Sequence, residues 1–470
     1  MTRERARPND LLSVKITPMS IIHKRLLYTF FILLFLTINP FILLYSSGYR
    51  FNYKKFKIEK TGSAVIVSFP KKAKVYINNT KTKYTTPAKI RFLIPDTYSF
   101  SLQKEGYYPW SRSVAVESSL TSFLKDIILV KKNKPKLVIS GRIDWMEKIP
   151  RQNAVIFLNN SSTEKILIGY DPSAGELKKI MVFQKNDSVT PIDWSNNKKL
   201  LVKSSNNNLS NYYVVNTDSW NIIKLKLPDI EFQKIKWDRL NNDIMYGLSE
   251  SQLFQIDTAS GIFTVVLADA IDDYITEGSS IYYTASNTSE SFIKKIILFS
   301  KEYAPSFLLP SQSHYSLDLN INKKIEVKDD NNYYLIDSEI FLNENADMNK
   351  NFLFVLQKEK NIEWSKNLKN ILLYNDFEIF TYDVKTETKN ILKKSSEPIL
   401  KAFFALDDNY VFYWHGKSFS IMENAQENKK NAYELGVFNE IQDVLINNRD
   451  QIFFTTREAG KEGAYEMSLN

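Results

Sequence analysis

The sequence contains no cysteine among its 470 residues. Disulfide bonds, thiolate metal sites and cysteine nucleophiles are therefore excluded. Histidine is nearly as scarce: His23 lies near the apolar segment described below, and neither His314 nor His415 belongs to a recognisable motif with an acidic or serine partner. The lack of cysteine does not indicate the cellular compartment, because a protein without disulfides can work on either side of a membrane.

Motifs that announce a reaction are also missing. The sequence has no Gly-x-Ser-x-Gly elbow, no phosphate-binding P-loop, no Gly-x-Gly-x-x-Gly and no HExxH. A Ser/His/Asp triad is assembled in space, so sequence alone does not exclude one. We assign no catalytic, cofactor-binding or metal-binding residue and expect no cofactor, and the ligand-binding residues stay unknown.

Positive charge is concentrated towards the amino terminus. Residues 1–61 contain 11 lysines and arginines against 3 acidic residues, residues 62–131 contain 11 against 4, and residues 132–470 contain 40 against 46. Nucleic-acid binding would place the basic residues on the large folded body, so no nucleic-acid partner is expected. Basic residues beside a membrane favour anionic headgroups or wall polymers as partners, with ordinary solubilising lysines as the alternative.

Residues 26–46 (LLYTFFILLFLTINPFILLYS) contain no charged side chain. As a helix with a rise of about 1.5 Å per residue they span about 31 Å, close to the roughly 30 Å of a bilayer's hydrocarbon core. Proline is tolerated in membrane helices, so Pro40 is compatible with the span. We predict a transmembrane helix here, which makes the lipid bilayer a partner of residues 26–46.

The flanks of this segment predict its orientation. Residues 1–25 form a basic tail, which the positive-inside rule places in the cytoplasm. Residues 47–61 form a basic linker, and the domains that follow are expected outside the cytoplasm of a single-pass cell-membrane protein. A cleaved signal peptide is the alternative, but its apolar core usually has about 7–15 residues, and no clear A-x-A cleavage pattern is present.

Residues 62–131 alternate apolar and polar side chains in short stretches separated by proline and turn residues. Six or so strands fit this segment, which predicts a small β-sandwich or barrel. The segment resembles the PEGA domain. The turn at 70–73, the strand at 75–79, the Thr86-Pro87 step and the turns at 95–98 and 104–107 follow the order and spacing of that family's motifs.

Four residues depart from the PEGA pattern, and one of them is Lys71, which stands where the family has a glutamate. Lys72, Asn79 and Asp96 stand where the family has a glycine. Asn and Asp tolerate left-handed turn conformations better than other residues, so the fold is expected to survive. The resemblance implies a cellular location rather than an activity, because PEGA domains occur mostly in surface and envelope proteins.

The aromatic residues Tyr107, Tyr108 and Trp110 raise a choice between two roles. Amphipathic aromatic rings can stack on glycans, which would make these residues a binding platform. In an alternating strand, however, Tyr108 and Trp110 share one face. We expect that face to pack into the core of the domain.

Residues 132–470 repeat one pattern: an apolar residue, a polar residue, Trp, a polar turn and an apolar strand. The spacing of 37–49 residues between copies brackets the roughly 40–45 residues of a four-stranded propeller blade. Four copies keep the Trp and four are degenerate. The eight anchor positions are Trp145, Trp194, Trp237, Tyr274, Leu317, Trp364, Leu406 and Leu445.

The repeats resemble TolB-type and WD40-like propeller units, whose hallmark is Trp-Ser-Pro-Asp-Gly-Lys before a strand. Residues 194–199 (WSNNKK) and 364–367 (WSKN) are the best copies, although both lack Pro-Asp-Gly. The resemblance implies a β-propeller over residues 132–470, with eight blades preferred and seven the alternative because the units are irregular around 343–360. The strand at 135–140 is expected to complete the last blade. The repeated Trp residues are expected to pack between blades rather than to bind a ligand.

Acidic pairs at Asp272-Asp273, Asp329-Asp330 and Asp407-Asp408 are the remaining candidates for chemistry. Adjacent residues of a strand point to opposite faces, which suits a glycosidase pair poorly. The stretch 329–332 (DDNN) lacks the spaced ligands and the glycine of a calcium loop. We therefore interpret these residues as parts of turns.

The sequence as a whole predicts a mostly β protein with one amino-terminal transmembrane helix, a PEGA-like domain and a propeller. The function expected from this order is a non-enzymatic, membrane-anchored binding or scaffold surface for envelope proteins or cell-wall polymers. The alternative is a propeller enzyme, of lyase or glycosidase type, with its site in the central channel. Converging carboxylates there, together with His and Arg, would favour the enzyme.

Overall fold

The structure is a computed structural model of the chain. The structure describes residues 20–207, 209–227, 230–267, 270–277, 280–286, 291–297, 302–303, 307–308, 316–319, 324–328, 332–337, 352–357, 361–367, 369–383, 386, 388–425, 430–458 and 460–470.

Two compact units divide the chain. The first contains residues up to 104 together with 109–127, and the second contains residues 105–108 together with 128–470. The sequence predicts the boundary between the PEGA-like domain and the propeller after residue 131 instead. Residues 105–108 join the second unit because Tyr107 forms a β-bridge with Lys131, and the Tyr108 amide donates to the Val130 carbonyl at 2.8 Å.

Helix α1 spans Ile21–Ser46, and Pro40 lies inside it. The Ser20 hydroxyl accepts the backbone N–H of His23 and so caps the first turn. No side chain of the helix is buried, and the mean hydropathy of its most apolar window is 2.2. The predicted span 26–46 lies within α1, which is long and apolar enough to cross a membrane; a signal sequence would share these properties.

Nine strands follow in the first unit. They form a two-stranded hairpin β1-β2 within the predicted linker, a three-stranded sheet β6-β3-β9 and a four-stranded sheet β5-β4-β7-β8. Their bounds are β1 (Tyr49–Asn52), β2 (Lys57–Lys60), β3 (Gly62–Phe69), β4 (Lys74–Ile77), β5 (Thr80–Thr85), β6 (Ala88–Leu93), β7 (Asp96–Gln103), β8 (Trp110–Val116) and β9 (Thr121–Ile128).

Alternation along these strands builds the core of the first unit. Ile66 of β3, Phe100 and Leu102 of β7 and Trp110 of β8 are fully buried, while their immediate neighbours along the strands are more exposed. The pairs β1–β2, β3–β6, β4–β5, β4–β7 and β7–β8 are antiparallel. The predicted small sheet domain is therefore present, as two sheets.

Two of the three glycine replacements occupy backbone conformations that favour glycine. The φ angle of Lys72 is 64° and that of Asn79 is 63°, whereas Asp96 has no positive φ. Asn at such a position is well tolerated, and Lys is strained more. Asp96 instead begins β7, where its carboxylate accepts the Thr97 N–H at 2.9 Å.

The second unit consists of small antiparallel sheets. Their strands are β10 (Lys136–Ser140), β11 (Arg142–Lys148), β12 (Val155–Asn160), β13 (Glu164–Asp171), β14 (Glu176–Gln184), β15 (Ser188–Trp194), β16 (Lys199–Asn206), β17 (Leu209–Asn216), β18 (Asn221–Lys224), β19 (Lys234–Trp237), β20 (Ile244–Ser249), β21 (Gln252–Asp257), β22 (Phe263–Leu267), β23 (Asp273–Glu277), β24 (Ser280–Ser286), β25 (Ser291–Ile297), β26 (Glu302–Tyr303), β27 (Phe307–Leu308), β28 (Ser316–Leu319), β29 (Lys324–Lys328), β30 (Asn332–Asp337), β31 (Phe352–Gln357), β32 (Asn361–Trp364), β33 (Asn370–Tyr374), β34 (Glu378–Asp383), β35 (Thr388–Lys394), β36 (Ile399–Ala405), β37 (Tyr410–His415), β38 (Ser418–Glu423), β39 (Ala432–Val437), β40 (Val444–Ile446), β41 (Gln451–Glu458) and β42 (Lys461–Ser468).

Within the described residues of this unit, successive strands pair into eight sheets, which take their numbers from chain order. Sheet 1 is β11–β14, sheet 2 is β15–β18, sheet 3 is β19–β22, sheet 4 is β23–β26 with β27 beside β25, sheet 5 is β28–β31, sheet 6 is β32–β35, sheet 7 is β36–β39 and sheet 8 is β40-β41-β42-β10. Each of the eight anchor positions lies in the first strand of one sheet or directly after it. The repeat read from the sequence thus corresponds to one sheet per copy.

Sheet 8 joins the two ends of the second unit, because β10 from its start pairs with β42 from its end. Lys136 lies opposite Glu466 and Ser140 opposite Gly463 in an antiparallel register with one irregularity. The Lys136 ammonium lies 3.0 Å from the Glu466 carboxylate. The predicted role of residues 135–140 as the fourth strand of the last repeat is confirmed at the level of this pairing.

Apolar clusters join neighbouring sheets. The second strands are buried on both faces, as in β12 and β37, where five consecutive residues are buried. Such strands need a covering sheet on each side. Clusters of buried residues connect sheet 1 to 2, 2 to 3, 3 to 4, 6 to 7, 7 to 8, and 8 back to 1.

Gly463 offers a test of the β10–β42 pairing. A Cβ atom at Gly463 would lie 2.2 Å from the Ile139 carbonyl oxygen and 2.8 Å from a methyl group of Leu137. Gly463→Val should therefore lower the free energy of unfolding by about 1–3 kcal/mol, the usual cost of overpacking. Denaturant titration of the detergent-solubilised chain, followed by tryptophan fluorescence, measures this change.

The control is Lys461→Val, an exposed position in the same strand. It should change stability by no more than about 0.5 kcal/mol. Equal stability of Gly463→Val and the unchanged protein would show that β42 does not pair with β10 in this register.

Candidate functional site

First strands of neighbouring sheets carry charged side chains that pair across the sheets. The Lys234 ammonium of sheet 3 lies 2.7 Å from the Asp273 carboxylate of sheet 4. Lys236, two residues further along the same strand, lies 3.4 Å from Asp193 of sheet 2. These pairs are half-buried, so their removal from water is offset by direct charge pairing.

A cleft of about 320 Å³ opens where sheets 6, 7, 8 and 1 meet. We call it the acidic cleft, because five of its residues are acidic and three are lysines. It is lined by Met146, Glu147, Lys148, Glu363, Trp364, Lys366, Lys401, Phe403, Phe404, Asp408, Asp443, Val444, Leu445, Ile446, Asn447, Asn448 and Asp450.

Two carboxylates of the acidic cleft also tie neighbouring sheets together. Oε2 of Glu363, in sheet 6, accepts the backbone N–H of Phe404 in sheet 7 at 2.8 Å. Oδ1 of Asp450, in sheet 8, accepts the N–H of Leu406 after sheet 7 at 2.6 Å. Hydrogen bonds from backbone to a charged acceptor are stronger than neutral ones, so these residues stabilise the contact between sheets.

Two lysines of the acidic cleft already have anionic partners. Lys401 pairs with Asp443 of sheet 8, and Lys366 lies 2.7 Å from Asp407. In the part of the chain that the structure describes, neither Glu147 nor Glu363 has a lysine or arginine nitrogen within 4.0 Å. Among the described residues the same holds for Asp408 and Asp450, so four of the five carboxyl groups of the cleft lack an ion pair.

The pKa values of four carboxyl groups of the acidic cleft, those of Glu147, Glu363, Asp408 and Asp450, are raised. Burial raises the pKa of Glu363 to about 7. Burial is also the main cause that raises the pKa of Glu147, and the charge of Asp443 adds to it. Burial likewise raises the pKa values of Asp408 and Asp450. Such shifts are common in sites that bind ligands or transfer protons, although structural networks also produce them.

A second cleft, of about 220 Å³, opens beside the first strands of sheets 2, 3 and 4. We call it the tryptophan cleft. It is lined by Pro150, Arg151, Asp193, Trp194, Ser195, Asn196, Lys236, Trp237, Asp238, Arg239, Ile275 and Thr276.

Three of the four anchor tryptophans pack between sheets, as the sequence predicts, and three of the four line clefts. Trp145 and Trp194 pack against the cluster joining sheets 1 and 2, and Trp237 belongs to the cluster joining sheets 2 and 3. The Trp145 indole N–H donates to the Val189 carbonyl at 2.8 Å. Trp194 and Trp237 border the tryptophan cleft and Trp364 borders the acidic cleft, so packing and lining occur together.

The acidic residue before the anchor Trp is a signal that the sequence reading missed. Asp193 accepts the N–H of Trp237 in the next sheet at 2.8 Å, which matches the bond from Phe404 to Glu363. Asp144 stands in the same place before Trp145 but pairs within its own sheet, with Lys165 at 3.0 Å. Two of the three acidic residues in this position thus bridge to the following sheet.

The predicted acidic turn residues have mixed outcomes. Asp407 and Asp408 lie in a turn with positive φ angles of 54° and 63°, as expected, and Asp408 also borders the acidic cleft. Asp273 instead begins β23 and accepts the backbone N–H of Tyr274 at 2.8 Å, so the turn interpretation is wrong there. Asp329-Asp330, most of the stretch 329–332 and His314 lie outside the described residues.

His415 lies in a chain of three polar groups, with a hydroxyl on one side and a carboxylate on the other. Its Nε2 is 3.2 Å from the Ser420 hydroxyl, and its Nδ1 is 3.5 Å from the Glu397 carboxylate. The order resembles that of a catalytic triad, but Ser420 lies in mid-strand and is only 6% exposed. A nucleophile must reach its substrate, so we interpret this chain as structural.

No metal site emerges among the described residues. No group of three or more histidine, aspartate or glutamate side chains there is arranged to hold an ion. His23 contacts Ser20 at the start of α1 instead.

The aromatic residues 107–110 do not share one strand face, so the expected common core is wrong for Tyr108. Trp110 is fully buried in the first unit, but β8 begins only there. Pro109 precedes it and has no N–H to extend a ladder. Tyr108 belongs to the second unit, where its ring stacks on Tyr433 at 4.8 Å and its hydroxyl donates to the Glu434 carbonyl at 2.8 Å.

Most of the two sheets of the first unit belongs to a segment that matches a known domain family. Residues 61–126 match the PEGA domain. The match covers almost the whole PEGA-like segment predicted from its turns. It leaves the rest of the chain unassigned, and a search of the curated proteins found no match.

Solved structures resemble the chain only in fold. "Crystal Structure of Mitotic Checkpoint Complex" is 8% identical with a TM-score of 0.40, covering 72% of this chain and 98% of that chain. "KlHsv2 with loop 6CD replaced by a Gly-Ser linker" is 11% identical with a TM-score of 0.41, covering 63% and 98%. "Crystal structure of the eukaryotic initiation factor" is 10% identical with a TM-score of 0.47, covering 73% and 92%. These neighbours are propeller-like, and scores this low carry no argument about function or blade number.

Glu363 makes stability depend on pH in a direction opposite to most carboxylates. Its pKa is about 7 in the folded chain, against 4.5 for an ordinary glutamate. The folded state therefore holds the proton more tightly, and this contribution, present below pH 4.5, is lost as pH rises through 7. Glu363→Gln is neutral at every pH and keeps an oxygen to accept the Phe404 N–H.

The free energy of unfolding of Glu363→Gln, relative to that of the unchanged protein, should therefore be about 1–3 kcal/mol greater at pH 8 than at pH 5. Denaturant unfolding at the two pH values measures the difference. The exposed carboxylate Glu458 supplies the control, and Glu458→Gln should show no such trend. An equal stability difference for Glu363→Gln at both pH values would contradict a perturbed Glu363.

Proposed function

We propose that this protein is a non-enzymatic, single-pass membrane protein whose extracytoplasmic part offers a binding surface to envelope proteins or cell-wall polymers. The observation that carries the proposal lies in the second unit. Two clefts with charged and aromatic walls open there beside the first strands, on a chain without a recognisable reaction motif.

The proposed location rests on the amino-terminal part of the chain. Helix α1 leaves all its apolar side chains uncovered, which suits a lipid environment. The basic residues before it favour a cytoplasmic amino terminus. The match of residues 61–126 to the PEGA domain supports the same address, because such domains are typically extracytoplasmic.

The proposed architecture of the second unit is a closed, eight-bladed β-propeller. Each of the eight anchor positions has its own sheet, and β10 completes sheet 8. The buried clusters that connect sheet 8 to both sheet 7 and sheet 1 support closure. The first strands would then surround a central channel, and both clefts would border it.

A propeller enzyme remains a second candidate because carboxyl groups converge in the acidic cleft. Four of its five carboxyl groups lack an ion pair among the described residues, and Glu363 has the pKa of a proton donor near neutral pH. Neither histidine nor arginine lines this cleft among the described residues. That composition favours binding over acid–base catalysis, and the capture experiment described below distinguishes the two.

The topology has a direct test. Protease added to intact cells should degrade residues 62–470 and spare the amino-terminal tail, whereas permeabilised cells should lose both. Antibodies against a tag at each end report the two parts. Protection of the carboxyl-terminal tag in intact cells would reverse the proposed orientation.

The binding function is tested by affinity capture with the detergent-solubilised full chain. It should retain specific envelope proteins or wall fragments, and Arg151→Glu in the tryptophan cleft should reduce that capture several-fold. Lys178→Glu, an exposed change away from both clefts, should leave it intact. Fragments that are cleaved rather than retained, with cleavage lost in Glu363→Gln, would establish the enzyme instead.

A further inference from the structure

The hairpin β1-β2, which directly follows helix α1, has one polar face and one apolar face. Asn52 and Glu59 lie on the polar face, where the Asn52 amide donates to the Glu59 carboxylate at 2.7 Å. Phe51 and Ile58 are opposite each other in the antiparallel register, and alternation along the strands places both on the other face. Both side chains are exposed, so none of the described residues buries this face.

Two more aromatic side chains extend the apolar face into the turn of the hairpin. Tyr53 is 77% exposed and Phe56 is 82% exposed. The centre of the Phe51 ring lies 5.1 Å from that of Tyr53 and 6.4 Å from that of Phe56, edge to face in both pairs. We call Phe51, Tyr53, Phe56 and Ile58 the aromatic face. Apolar side chains scattered singly over a surface are normal, whereas an adjoining group of large ones is typical of a contact site.

The turn of the hairpin holds these rings in a defined place. Oδ1 of Asn52 accepts the N–H groups of Lys54 and Lys55 at 3.0 and 3.3 Å, and Asn52 itself is buried. Phe56 has a φ of 48°, a left-handed conformation that costs free energy for a bulky residue and that glycine adopts easily. Phe56 is too exposed to contribute to a core, so its presence at a strained position favours a contact outside the folded chain.

Positive charge surrounds the aromatic face. Residues 49–60 contain four lysines and one arginine against one glutamate. Among the described residues, Asp96 and Glu59 pair with three of the lysines at 2.7–3.7 Å, while Arg50 and Lys60 have no carboxylate within 4.0 Å. An excess of cations beside exposed apolar rings suits a surface that is anionic outside and apolar beneath, as a lipid leaflet is.

The position of the hairpin in the chain brings it to the edge of a bilayer. Ser47 and Gly48 alone separate it from the end of α1. The Arg50 guanidinium donates to the Tyr45 carbonyl in the last turn of α1 at 2.7 Å and lies 3.5 Å from the centre of the Tyr45 ring. A helix that crosses the hydrocarbon core over residues 26–46 ends where the headgroup layer begins, a layer about 5–8 Å thick. The hairpin therefore starts in the layer where amphipathic aromatic rings are enriched.

We propose that the hairpin β1-β2 is a second membrane contact, in which the aromatic face enters the headgroup layer of the leaflet at the carboxyl-terminal end of α1 and the cationic side chains pair with anionic lipid headgroups. This inference rests on the transmembrane role proposed for α1 and names the lipid contact beside it. Lysines alone attract any polyanion, including a wall polymer. The aromatic face selects the lipid, because a wall polymer has charge without an apolar layer beneath it.

Single-cysteine labelling tests the proposal, since the chain has no cysteine of its own. The full chain is reconstituted in vesicles of phosphatidylcholine and phosphatidylglycerol, with a fluorophore on one cysteine and bromine on the upper part of the acyl chains as the quencher. A label at Phe56→Cys should be quenched about threefold more than one at Lys178→Cys, an exposed position of the second unit. Quenching at Phe56→Cys should weaken in vesicles of phosphatidylcholine alone, and equal quenching in both vesicles would overturn the role of the cationic side chains.

A label at Leu34→Cys, in the middle of α1, separates this inference from the proposed anchor. Quenching at Leu34→Cys with none at Phe56→Cys would overturn the hairpin contact and leave the anchor standing. The absence of quenching at both would overturn the anchor and the hairpin contact with it. Protection of the Phe56→Cys label from aqueous iodide without quenching by lipid would show that protein covers the aromatic face, which also overturns the proposal.

A second pair of variants removes the influence of a label at Phe56 itself. With the label at Tyr53→Cys, the further change Phe56→Ser should reduce quenching by lipid about twofold or more, because the aromatic face loses its most exposed ring. Phe123→Ser removes an exposed aromatic ring from β9 of the same unit and should leave quenching unchanged. Equal quenching in the Phe56→Ser and Phe123→Ser variants would contradict insertion through the aromatic face.

Discussion

A four-stranded sheet that is apolar on both faces cannot cover itself, and this constraint shapes the second unit. The second strands, such as β12 and β37, bury consecutive residues on both sides, so each sheet needs a neighbour on each face. A row of such sheets would leave an apolar face at each end. The buried cluster around Phe157 and Phe453 joins sheet 8 to sheet 1.

The same arrangement brings charged first strands together, and their side chains then divide into two groups. Some make the contacts between sheets, as Asp193 does with Trp237 and Lys234 does with Asp273. These are satisfied within the protein and are structural. Others also border a cleft, as Glu363 does: its Oε2 accepts the Phe404 N–H of the next sheet, and the residue lines the acidic cleft.

In the first unit, the structure gives the physical role of the turn residues that resemble those of a PEGA domain. Thr86, from the Thr-Pro step, is 1% exposed, and its hydroxyl accepts the Ala73 N–H at 3.0 Å and contacts the Ser68 hydroxyl at 2.7 Å. It therefore links three segments of the chain. Asn79 takes a left-handed conformation that glycine would take easily. Local chemistry of this kind is readable in sequence, because each turn depends on few neighbours.

The sequence by itself determined the apolar helix, the PEGA-like turns, the strand-rich body and its eight repeat positions. All of these are local or periodic features, so the residues that specify them lie close together in the chain. Only the tertiary structure decided that Tyr108 packs on Tyr433 rather than beside Trp110. It also decided that Glu147 and Glu363 share a cleft. Such contacts join residues hundreds of positions apart, and their geometry follows from how whole sheets pack, which no local pattern records.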